Sequence, residues 1–119
     1  MKKNEIAIKN KLFDKISLLI EQTKSKAAVY LNVETTLLYW NIGNYILKEL
    51  KEKERITYGK QILATLSQEL TKAYGKGFTY TALTRMMKVA GTFDEENIAT
   101  LSQHLSWSHF IELFKEREK

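Results

Sequence analysis

Residues 58–93 read YGKQILATLSQELTKAYGKGFTYTALTRMMKVAGTF, and the fold is decided here. Ile62, Leu63, Leu66 and Leu70 fall at the spacing that lines one side of a helix, and Leu83, Met86, Met87 and Ala90 repeat it. Tyr80 and Phe93 bound the second run. Between the two runs, Tyr74-Gly75-Lys76-Gly77-Phe78 punctuates the chain. Gly75 is predicted to end the first helix in a left-handed conformation, and Thr79 to cap the second. Two helices across a short glycine-containing turn have the outline of a helix-turn-helix. In that reading the outer side of the second helix carries Thr79, Thr81, Thr84, Arg85 and Lys88. Small hydroxyls and cations suit phosphates and base edges. The plainer alternative is a helical hairpin with a polar outside that touches no nucleic acid, since short motifs discriminate weakly.

Outward from the hairpin, the long N-terminal stretch reads as helix from about residue 4 to 52. Leu12, Phe13, Ile16, Leu19 and Ile20 form an apolar stripe that resumes at Ala27, Tyr30 and Val33 and continues through Leu37, Leu38, Asn41, Tyr45 and Ile46. The polar patch Gln22–Lys26 leaves two options, one long helix or two in line. So long an amphipathic element must pack on the hairpin, on a second chain, or on both. Gly43 sits among Trp40, Asn41 and Tyr45; a helix-interior glycine costs about 1 kcal/mol against alanine and so implies close approach of another helix. Trp40 and Tyr45 are expected to pack around that contact, a core role favoured over base stacking.

The expected fold class is all-α: the long helix, or two in line, on a helix-turn-helix-like hairpin, then a short helix and a C-terminal one. The predicted helices span about 4–52, 58–74, 80–92, 95–101 and 107–116, in one domain. Thr57, Asp94 and Ser106 are the candidate caps of the second, fourth and fifth.

Composition narrows the chemistry. The 119 residues contain neither cysteine nor proline, which excludes disulfides and thiolate sites and permits uninterrupted helices. No secretory signal or membrane-spanning apolar run is present in the sequence, so a cytoplasmic location is expected and no membrane partner. The net charge of +5 is unevenly spread: residues 57–93 set five cations against Glu69 alone, while residues 94–119 carry six anions and three cations. A basic hairpin favours a polyanion, here DNA, with Lys60, Lys72 and Lys76 joining the residues of the second helix as candidate contacts. No nucleophile elbow, phosphate-cradling loop or paired acid motif appears. His109 and Glu112 share a helix spacing but lack a third ligand, and a capping or solvent-facing histidine is the better reading. No enzyme activity, cofactor or metal is therefore expected.

Several blocks resemble one bacterial family, the YhcG-type proteins. They are Leu38-Tyr39-Trp40-Asn41-Ile42-Gly43, Tyr58-Gly59-Lys60-Gln61-Ile62-Leu63 and Leu66-Ser67-Gln68-Glu69-Leu70. Gly75-Lys76-Gly77-Phe78, Leu83-Thr84-Arg85-Met86 and Leu105-Ser106-Trp107-Ser108-His109 continue the series. The resemblance covers about residues 12–113 and is to the N-terminal domain. It implies a helical, winged-helix-like or helix-turn-helix-like module that precedes a nuclease domain of the PD-(D/E)xK class in full-length relatives. The acids and lysine of that nuclease have no counterpart here, so no catalytic residue carries over. Two functions are expected to compete: DNA targeting through the basic hairpin, and protein interaction, with homodimerisation through the long helix.

Overall fold

The computed structural model describes residues 2–53 and 56–118, and side chains for residues 3–50 and 59–115. Among these residues there are five α-helices, one 3-10 turn and no strand. Helix α1 spans Lys2–Lys53, α2 Ile56–Tyr74, α3 Tyr80–Thr92, α4 Glu95–Leu101 and α5 Trp107–Glu118, with the 3-10 turn at Lys76–Phe78. The all-α expectation and the element order hold. A wing, which needs a β-hairpin, has nothing to form it among the described residues.

Helix α1 runs unbroken through Gln22–Lys26, which settles the choice left open above. Gln and Lys are good helix formers, and a polar patch on an exposed helix does not by itself break it. The second helix begins at Ile56, so Thr57 lies inside its first turn and is not the residue before it.

The chain divides into two compact units, Met1–Leu31 and Asn32–Lys119. The first is a single helical segment. Its large hydrophobics, Leu12, Phe13, Ile16, Leu19, Ile20, Tyr30 and Leu31 among them, are all exposed. One helix has no second surface to bury a stripe against.

The second unit holds the core, in two clusters. Trp40 of α1, Val89 of α3, Ile98 of α4 and Phe110 of α5 make one. Ile46 of α1, Leu63 of α2 and Leu83 and Met86 of α3 make the other, and Trp107 packs on both. Phe93 meets Phe110 edge-on in the first, at 5.6 Å between ring centroids, and Tyr39, packed against the second, meets Trp107 at 5.1 Å.

Helix α1 joins this core along Asn32, Thr36, Trp40, Gly43 and Ile46, steps of three and four residues that keep to one side. Asn32 donates both amide hydrogens, to the carbonyls of Ser102 at 2.7 Å and Leu105 at 2.8 Å. The Trp40 indole donates to the Phe93 carbonyl at 2.7 Å. At Gly43 the backbones of α1 and α3 come so close that a Cβ would collide with the Met86 carbonyl. The glycine therefore marks a helix crossing, as its cost implied. Trp40 packs there, but Tyr45 lies on the outer side of α1 and is exposed.

Candidate nucleic-acid interface

The hairpin is built as its residues direct. Leu63, Leu66 and Leu70 turn one side of α2 inward, and Leu83, Met86 and Val89 do the same for α3. Gly75 interrupts the chain at φ 100°, ψ −166°. The positive φ matches expectation, but the ψ does not: this is an extended conformation reserved for glycine, and not the left-handed helical cap. The last turn of α2 closes regularly, with the Gly75 N–H on the Thr71 carbonyl at 2.8 Å. The Thr71 hydroxyl then donates to the Phe78 carbonyl at 3.2 Å and ties the turn back to α2.

Thr79 caps α3, its hydroxyl accepting from the Ala82 N–H at 3.2 Å. Thr84 donates to the Tyr80 carbonyl at 2.9 Å. Two of the three predicted contact threonines are thus bonded to their own helix, the third being Thr81. Thr81, Arg85 and Lys88 are exposed on one side of α3, opposite its buried residues. Lys88 leans over the ring of Phe114 on α5, with Nζ 5.4 Å from the centroid, a cation–π contact that sets its position. Lys72 and Lys76 are exposed at the turn. Lys60 is exposed as well, but twelve residues before Lys72 it lies about 18 Å away along α2 and about 120° around it. The structure therefore groups Thr81, Arg85 and Lys88 on one helix and Lys72 and Lys76 at the turn, and leaves Lys60 apart.

The remaining candidates resolve as structural parts. His109 accepts the Ser106 N–H on Nδ1 at 3.1 Å, with the Ser106 hydroxyl 2.8 Å from the same nitrogen. It stands where a capping box places Glu or Gln, so the proton of the neutral ring is on Nε2. Asp94 caps α4 by accepting from the Asn97 N–H at 2.7 Å. Among the described residues no three acidic or histidine side chains gather to hold a metal. No helix among them is long and apolar enough to cross a membrane.

What the sequence did not signal is the polar start of the α1 side of the core, Asn32 and Thr36; Trp40, Gly43 and Ile46 were legible. Asn32 and Thr36 look like polar surface residues in sequence, and only the helical step from Trp40 points inward. No curated protein and no solved structure matches the chain. Residues 15–119, by contrast, match the DUF1016 N-terminal domain, the family to which the YhcG-type proteins belong. With nearly the whole chain covered, from within α1 to its end, the protein belongs to the DUF1016 N-terminal domain family.

Proposed function

We propose that this domain is a nucleic-acid-binding module that uses the outer side of α3 and the α2–α3 turn, and that it has no catalytic activity of its own. One observation carries the reading: from Thr81 to Lys88 the exposed side of α3 bears hydroxyl and cationic groups, and the sequence between Glu69 and Asp94 contains no carboxylate. Arg85 and Lys88 make the central phosphate contacts, and Lys72 and Lys76 extend them at the turn. In relatives that continue into a nuclease domain, such a module would hold the substrate for it, in the cytoplasm. The test is fluorescence anisotropy of labelled DNA against salt. Arg85→Glu with Lys88→Glu should weaken binding and reduce the slope of log K against log salt by about two units, one for each phosphate contact. Unchanged affinity and slope would reject this surface.

A second reading has its own support in the exposed stripe of Met1–Leu31. Seven of its large exposed side chains (Leu12, Phe13, Ile16, Leu19, Ile20, Tyr30 and Leu31) bring roughly 60–120 Å² of apolar surface each, at about 1.5–3 kcal/mol per side chain. Two copies would bury roughly 800–1,700 Å², which reaches into the range of specific, stable interfaces. The partner we propose is a second copy of this chain. Ile16→Glu with Leu19→Glu should convert a dimer into a monomer in light scattering. A wild-type protein that is monomeric at high concentration would end this reading.

A further inference from the structure

Two tyrosines flank the Gly75–Gly77 turn, and neither is used by the core. Tyr74 follows Leu63, Leu66 and Leu70 in helical step, on the side of α2 that is otherwise buried. It is nevertheless 75% exposed, its ring meeting the edge of Phe78 at 6.0 Å between centroids. Tyr80, the first residue of α3, is 42% exposed. Tyr30 and Tyr45 are exposed too, so exposure alone does not single these two out; their place on either side of an open, glycine-bracketed turn does. Lys76, in the turn itself, is an exposed cation; Lys72, two positions before Tyr74, lies about 160° around α2 from it. Above the turn itself there is open space: a Cβ at Gly75 or Gly77 would meet nothing within 4 Å. The bond from Thr71 to Phe78 fixes this arrangement before any ligand arrives.

We infer that the turn is a stacking site for unpaired nucleobases, with Tyr74 and Tyr80 receiving base faces while Lys76 holds an adjoining phosphate. A base stacks on an aromatic ring whatever its identity, and the side-chain-free turn lets the strand approach. A duplex keeps its base faces inside, so the ligand class is single-stranded nucleic acid, or a duplex with a single-stranded tail. The inference rests on the nucleic-acid reading above and names the substrate class for its turn. Arg85 and Lys88 then contact the backbone that continues from the tail.

Anisotropy on the full chain tests it, with three labelled probes of matched length: a blunt duplex, a shorter duplex brought to that length by an oligothymidine tail, and oligothymidine alone. The tailed and single-stranded probes should bind about tenfold or more tighter than the blunt duplex. Tyr74→Ala and Tyr80→Ala should each remove about five- to hundredfold of that preference and leave blunt-duplex affinity unchanged, while Tyr74→Phe retains it. Both tyrosines are exposed, so circular dichroism should report the wild-type helix content in each variant. Equal binding of all three probes, with no effect of either alanine, overturns the stacking site and leaves the α3 surface standing. Absence of binding to every probe overturns both.

Discussion

At the scale of single residues, the clearest anomaly is Thr36. It is fully buried, and its hydroxyl has no hydrogen-bond partner among the described residues. A buried hydroxyl without a partner forfeits its bonds to water and receives nothing in return. Thr36→Val keeps the shape and the β-branched backbone preference, and should stabilise the domain by about 1 kcal/mol. In a thermal melt that is a rise of about 3–5 °C for a domain this size; a fall would mean that the hydroxyl is bonded. Sequence could not find this residue, because Glu34-Thr35-Thr36 reads as ordinary polar surface. Asn32 was hidden for the same reason, since its two acceptors lie 70 and 73 residues away. His109 was half legible: sequence left it as a capping or solvent-facing side chain, and its local partner Ser106, three residues off, makes it the cap.

Among the elements, local chemistry predicted most of what is seen. Thr79 and Asp94 cap the helices that their positions announced, and α3 and α4 begin where those caps put them. The turn was half legible. A glycine after a helix implies positive φ, but ψ depends on where the next segment must go, and here the 3-10 turn and α3 set it. The distinction has a measurable consequence. Gly75→Ala should cost about 1–3 kcal/mol from backbone strain alone, since there is room for the methyl group. Gly77→Ala, in open space and without a positive φ, should be neutral or stabilising by about 0.5 kcal/mol. Chemical denaturation of the two single variants gives both values, and equal costs would refute the assignment.

At the scale of the whole molecule, amphipathic spacing could locate the apolar stripe of α1 but could not say what covers it. From Asn32 onward one side of the helix is core, whereas the stripe before it is exposed. Periodicity records which side is apolar and carries no information on which partner is present. The two proposed functions separate cleanly by salt. Residues 1–31 carry seven cations and three anions, so pairing two such segments brings like charges together. Added salt should therefore strengthen self-association by screening, while it weakens binding to nucleic acid. Sedimentation and anisotropy across one salt series should move in opposite directions; weakening of both would point to self-association driven by charge and not by the stripe. The long reach of Asn32 bears, finally, on how the protein is made. A ribosome delivers α1 first, and Trp40 emerges well before Phe93, Ile98 and Phe110, the residues that enclose it. The acceptors of Asn32 come later than Phe93 and Ile98, in the turn that leads into α5. The second unit therefore cannot close during translation until its last helix is out, and until then the nascent chain shows chaperones the apolar side of α1 that the finished fold hides.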